Sequence, residues 1–119
     1  MSNDTIYTDD ARWGDWERNV PVTDISYSNA RYLLNCYTFS RIDDSYDVYP
    51  DVDGNVNIHV RFGPDGFIQI ECEGDGGVVV WVVMALNTHS QRFDGMCGDV
   101  LTYIDTVLQR MGVKEVKNG

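Results

Sequence analysis

From Val56 to Phe62 the chain puts Val56, Ile58, Val60 and Phe62 on one parity and Asn57, His59 and Arg61 on the other. This is the period-two pattern of a strand buried on one face. Gly-Pro-Asp-Gly at 63–66 predicts a turn, with Pro64 presetting its φ and Gly66 supplying the permissive backbone. A second alternating run sets Ile68, Ile70 and Cys72 inward and Phe67, Gln69, Glu71 and Glu73 outward. Gly-Asp-Gly-Gly at 74–77 makes the next turn. Residues 78–84, VVVWVVM, are apolar on both parities, which predicts a central strand or one covered on its second side by the N-terminal Trp segment or a helix.

Helical periodicity flanks these runs. Ala30, Leu33, Leu34 and Tyr37 fall at i, i+3, i+4 and i+7, with Asp24, Ser26 or Ser28 as the N-cap. Cys97, Val100, Leu101, Ile104, Val107, Leu108 and Met111 form one stripe, predicting a helix over 95–111 with Asp94 as N-cap and Gly112 at C′. Trp13 and Trp16, three apart, predict a short helical turn whose indoles pack on the body before Val20 and Pro21 interrupt it. Residues 1–11 lack periodicity and read as a flexible or loosely docked arm. The segments RIDDSYDVYPDVDG (41–54) and ALNTHSQRFDG (85–95) read as an acidic and a polar linker. The expected fold is α+β over a single domain, 1–119: an N-terminal helix, a three-stranded antiparallel β-meander, and a C-terminal amphipathic helix packed on the sheet, with both helices on one face.

Composition supports a folded chain, since 43% hydrophobic residues over 119 positions exceed what disordered segments carry and suffice for a core without disulfides or metal. Cys36, Cys72 and Cys97 are odd in number, widely spaced and set in apolar patterns, as expected of buried free thiols in a reducing compartment. No apolar run reaches the ~20 residues of a membrane span, and MSNDTIYTDD is acidic where a signal peptide is basic. A soluble, cytoplasmic protein is expected.

Charge changes the picture most. Asp plus Glu number 19 against 9 Lys plus Arg, a net charge of −10. Asp43, Asp44, Asp47, Asp51, Asp53, Asp65, Glu71, Glu73 and Asp75 are opposed in their segment only by Arg61, while Lys114 and Lys117 sit in the C-terminal tail. Such a field repels nucleic-acid phosphates and anionic lipid and attracts basic protein surfaces.

The candidate chemistry is thin. His59 and His89 have no Cys, Asp or Glu at ligand spacing and read as solvent-exposed. Cys72 and His59 fall on opposite strand faces, which removes a nucleophile–base pair. Asp51-Val-Asp53-Gly54 opens like a calcium loop, but position 12 is Phe62 where a Glu is required, so the stretch reads as an Asx-rich turn. The glycines at 63, 66, 74, 76 and 77 lack the following helix N-terminus and Lys of a phosphate cradle. No catalytic residue, metal ligand or cofactor is assigned, and the chain is not expected to be an enzyme.

Trp-Gly-Asp-Trp at 13–16, a Pro, the Ser26-x-x-x-Ala30 helix, and Pro-Asp-Val-Asp-Gly-Asn-Val at 50–56 before a strand-turn-strand carry a resemblance. The chain is similar over Trp13 to Val83 to a widespread set of small uncharacterised bacterial and mobile-element proteins. Their pattern is W-D-G-Y-G-A, a Pro, a helix, P-x-V-x-P-x-x-D-G-G-V-x-L-x-W and a meander. Here WGDWERN replaces the Gly-rich start, and His59 with Val60 stands where Glu-Trp would fall. The resemblance implies a fold and a phage or plasmid accessory setting, and no catalytic residues.

The expected function is thus a non-catalytic acidic interaction or inhibitor protein, phage or mobile-element encoded and working in the host cytoplasm. It acts as an anti-defence, anti-CRISPR-like factor by occupying a basic nucleic-acid-binding surface of a host complex through the nine carboxylates named above, without binding nucleic acid or membrane itself. The alternatives are an antitoxin-like or self-assembling accessory domain, and a small-ligand module or enzyme with a pocket. An acidic surface serving only solubility is the plainer reading of the same residues. A homodimer through an edge strand at 56–62, with Tyr7, Trp13 and Trp16 on the covered surface, is compatible with each.

Overall fold

The computed structural model of the chain describes residues 5–6, 22–85 and 87–113. In chain order the elements are β1 (Thr5–Ile6), β2 (Val22–Thr23), α1 (Asp24–Cys36), a 3-10 turn (Phe39–Arg41), β3 (Asp47–Pro50), β4 (Val56–Phe62), β5 (Gly66–Cys72), β6 (Val78–Met84), β7 (Asn87–Phe93) and α2 (Gly98–Arg110). β1 and β2 form a short antiparallel ribbon, Thr5 opposite Thr23 and Ile6 opposite Val22. The readings placed on Tyr7, Trp13 and Trp16, and on most of the 1–11 arm, lie outside the described residues.

The α+β class stands, but the expected three-stranded meander is corrected to a five-stranded antiparallel sheet in the order β3-β4-β5-β6-β7, and the expected N-terminal helix is preceded by both strands of the separate β1–β2 ribbon. The three expected strands are β4, β5 and β6, and the two that were missed are the edges, hidden in the segments read as linkers. β3 has four residues, ends in a proline, and buries only Val48 fully. A proline and a short length are tolerated at an edge, where one side of the ladder is unpaired. β7 carries Asn87, His89 and Gln91 on the helix-facing parity, with Phe93 as its apolar member there, so hydrophobic alternation never marks it. Its hairpin with β6 also lacks a glycine: Met84 pairs with Asn87, and Ala85 turns the chain at φ 53°. β4 lies between β3 and β5, so residues 56–62 are not an edge and offer no route to a dimer.

The parities predicted for β4 and β5 hold. Ile58, Val60, Ile68, Ile70, Cys72, Val78 and Val80 point to one side and are fully buried, together with Ala30 and Leu33 of α1 and Val100 and Ile104 of α2. Both helices thus share one face of the sheet, and each fully buried aliphatic side chain there contributes roughly 1.5–3 kcal/mol. No helix among the described residues is long and apolar enough to cross a membrane.

The helix ends differ from expectation in detail. The N-cap of α1 is Thr23, not Asp24, Ser26 or Ser28. Its Oγ1 accepts from the Ser26 N–H at 3.2 Å and donates to Gly74 O at 2.8 Å. Ser26 instead donates to Cys72 O at 2.6 Å and Asn29 to Gly76 O at 3.1 Å, so polar residues on the buried face of α1 are satisfied by the β5–β6 connection. At the N-terminus of α2 the cap position is Cys97, which makes no side-chain cap bond, and Asp94 is held by Arg92 at 3.3 Å. The C-terminus follows the sequence: Gly112 sits at φ 75°, its N–H donating to Gln109 O and that of Val113 to Leu108 O, the paired bonds of a Schellman end. All three cysteines are free, but only Cys72 is buried; Cys36 is half-buried and Cys97 is exposed, because it precedes α2 rather than lying on its inner stripe.

Candidate interaction surface

The opposite parities of the same strands form the second face of the sheet, over which no described helix packs. The strand pairing sets Tyr49, Asn57, Glu71, Val79 and Arg92 in one row across it. Asp47, His59, Gln69, Trp81 and Ser90 make the next row, and Arg61, Phe67, Val83 and Thr88 the third. The centre is bonded internally. Gln69 Oε1 accepts from His59 Nδ1 at 2.5 Å, and its Nε2 donates to the Tyr49 hydroxyl at 2.8 Å and to Asn57 Oδ1 at 3.3 Å. The His59 ring leans on Phe67, centroids 4.7 Å apart. His59 is therefore half-buried and bonded rather than solvent-exposed, and the separation of Cys72 and His59 onto opposite faces holds. Beside this network, Phe67, Trp81 and Val83 with Asn57, Gln69 and Glu71 border a shallow depression of about 460 Å3, in which Glu71 is the carboxylate.

The nine candidate carboxylates do not form one fringe. Asp43, bonded to Arg61, and Asp65 in the β4–β5 turn lie with Asp44 toward the end of the sheet where β4 turns into β5, whereas Asp47, opposite His59, sits midway along β4. Asp51, Asp53, Glu71, Glu73 and Asp75 gather at the other end, where β3 meets β4 and β5 meets β6. The two ends of the seven-residue strands lie roughly 20 Å apart, with Asp47 between them. Several of the nine are occupied by the fold. Asp43 Oδ2 accepts from the Arg61 backbone N–H and from Arg61 Nε, both at 3.0 Å, and Asp47 lies 3.9 Å from the same guanidinium. Asp51 receives the Asp53 and Asn55 backbone N–H groups and the Asn55 and Asn57 amides, which is the expected Asx turn. Arg92 reaches Asp75 at 3.7 Å and Glu73 Oε1 at 2.8 Å; the latter contact is off the line of the N–H, so it is an ion pair without an aligned hydrogen bond. Gly77 makes room for it, since a Cβ there would strike both Glu73 Oε1 and the Arg92 guanidinium.

Asp44, Asp53 and Asp65 project into solvent, and Glu71 lies half-buried on the sheet face. Burial lifts the Glu71 carboxyl above its ordinary value, and Asp51, Glu73 and Asp53 lift it further. Asp43 goes the other way: burial pushes it up, but the Arg61 and Ser45 N–H groups and the Arg61 charge outweigh that and hold it low. The Cys72 thiol, buried beside Glu71, is pushed up to about 12 and is unreactive at neutral pH.

A second concavity of about 600 Å3 runs on the helix side, between α2 and the outer strands. Val82, Met84, His89 and Phe93 form its floor, and Tyr103, Val107, Asp99 and Arg110 its wall. Sequence reasoning missed it, because it exists only where β7 extends the sheet beyond the cover of α2. His89 is exposed there, as expected. Among the described residues no cluster of His, Cys, Asp or Glu is arranged to hold a metal ion. No protein-family model, curated protein or solved structure matches the chain.

Proposed function

We propose that the protein is a non-catalytic acidic interaction protein that engages a basic segment of another protein through the open sheet face and its more acidic end. The observation that carries this reading is Glu71. It borders the depression diagonally across from Trp81, and burial, then Asp51, Glu73 and Asp53, raise its proton affinity. Arg92, the nearby cation, is engaged by Glu73, Asp75 and Asp94 instead. A Lys or Arg side chain entering the depression lies over the indole while pairing with the carboxylate, a combination worth about 1–2 kcal/mol once partly desolvated. Aromatic side chains on an open sheet also suit single-stranded nucleic acid, but a carboxylate surround repels phosphate.

The partner class that follows is a basic, nucleic-acid-handling protein surface in the cytoplasm. In a phage or mobile-element setting the role is anti-defence inhibition, and an antitoxin-like pairing would use the same contacts.

The test is calorimetric titration with a Lys/Arg-rich peptide at about 50 and 200 mM salt. Reversing Asp53 and Glu71 to Lys should abolish binding, and Trp81→Ala should weaken it at both salt concentrations. Asp44→Lys with Asp65→Lys, the same charge change at the far end, should leave most of it. Equal loss from reversals at either end would reduce the effect to net charge and overturn the site.

A further inference from the structure

We infer that the protein pairs with a second copy of itself, edge to edge along β7, and that this pairing closes the cleft beside α2. The inference is independent of the function proposed above. The two sheet edges are unlike. β3 is short, ends in Pro50, which has no N–H to offer, and is flanked by the Arg61–Asp43 pair. β7 runs seven residues with no proline, and Asn87 through Arg92 are all exposed. The side chains of Asn87, Thr88, His89, Ser90 and Gln91 make no hydrogen bond among the described residues. A long exposed edge without a blocking device is a template for another strand.

Charge selects the occupant. In a chain of net charge −10, β7 contains no carboxylate, and its one cation, Arg92, is turned to Glu73, Asp75 and Asp94 of its own chain. This edge is therefore where two copies approach with least repulsion. An antiparallel pairing about a two-fold axis at Ser90 sets Ser90 opposite Ser90, Thr88 opposite Arg92 and His89 opposite Gln91. No like charges face each other, and the polar pairs can bond across the strands.

The helices complement one another in the same arrangement. β7 ends beside the start of α2, and α2 runs back along it, so Asp99 lies at one end of the cleft and Arg110 at the other. The two-fold axis reverses one copy relative to the other, so Asp99 of each α2 faces Arg110 of its symmetry mate. With strands about 4.8 Å apart, β6 of one copy lies about 14 Å from β6 of the other, and the helices over them come within reach of an arginine. The open cleft lined by Met84, Phe93, Tyr103 and Val107 then becomes an enclosed channel shared by two chains. Met84, 45% exposed in the single chain, is covered.

Sedimentation equilibrium on the full chain tests this. The expected mass is twice 13.5 kDa, with dissociation on dilution. Arg110→Asp and Asp99→Arg should each weaken association by about tenfold or more, since the symmetry repeats every like-charge contact twice. The double variant should restore it. A nonspecific charge effect predicts otherwise, because Asp99→Arg makes the chain less negative than −10 and would then strengthen association. Ser90→Lys should also weaken pairing, and mixing it with Ser90→Glu should recover a 1:1 dimer. Circular dichroism confirms that each variant is folded. A monomer at about 100 µM, or a dimer indifferent to all four substitutions, overturns the inference and leaves the edge to a foreign strand or to none.

Discussion

The hydroxyl of Tyr37, at the end of α1, donates to Asp105 Oδ1 of α2 at 2.7 Å and lies 3.3 Å from Leu101 O. The ring is 2% exposed and stacks on Phe39, centroids 5.5 Å apart. One side chain thus belongs to the core by its ring and clamps the two helices by its tip. Tyr37→Phe keeps the packing and removes the clamp, so it should cost about 1–2 kcal/mol, read as a loss of about 4–8 °C in Tm.

The same contact gives alkaline sensitivity. Burial, then the hydrogen bond to Asp105 and its charge, raise the Tyr37 pKa well above its ordinary value of 10.0. The unfolded chain releases this proton near pH 10 and the folded chain does not, so the contribution is intact below pH 10 and is lost as pH rises beyond it. Urea unfolding at pH 8 and pH 11 should show a steeper loss for the native chain than for Tyr37→Phe. Equal losses would assign the alkaline weakening to other groups.

Glu71 has the same sign at lower pH. Its folded pKa is raised, so its neutral form suits the fold and ionisation above the ordinary carboxylate range works against it. Glu71→Gln should therefore stabilise the chain at pH 7, with the gain vanishing below pH 4, where both states carry a protonated acid. The same variant should bind a basic peptide less well, a trade of stability for recognition.

Ala85 occupies the left-handed region at φ 53° between β6 and β7, and its N–H is bonded to Asp65 O at 3.0 Å. A side chain there costs about 1 kcal/mol relative to glycine. Ala85→Gly should raise Tm by about 3–5 °C without altering the spectrum of the fold. No change in Tm would mean that the turn relaxes freely.

This turn also shows why part of the fold was illegible. β4, β5, β6 and α2 announce themselves because burial on one side imposes a period on the sequence. Edge strands escape that pressure: β7 meets solvent along nearly its whole length, and β3 buries only Val48 fully. Neither Ala85 nor the Asp47–Pro50 stretch carries ordinary strand or hairpin chemistry. The candidate carboxylates were legible as a group, but their division between two ends was not, since it follows from the strand register and the partners Arg61 and Arg92. The place of Trp81 on the second face was hidden for a different reason: an apolar residue among valines looks like core until the face it occupies is known.

Thiol titration separates the three cysteines. Cys97, exposed ahead of α2, should react with an aromatic disulfide reagent within minutes, and Cys36 more slowly. Cys72 should react only on unfolding, because burial removes both access and thiolate. Fast reaction of two or more thiols in the native chain would contradict this placement of the side chains.

The meander has a kinetic side as well. Every strand of the large sheet pairs with its neighbour in the sequence, through connections short enough to close early. A sheet of this order can grow hairpin by hairpin without waiting for distant segments to meet, which favours rapid folding for a β-rich chain. Closure of α2 against Tyr37 joins residues 68 apart in the chain, so this contact carries a larger loop-closure cost than any hairpin of the sheet. Because α2 follows every strand of the sheet in the chain, synthesis delivers the sheet's full set of partners before the clamp that locks it is made.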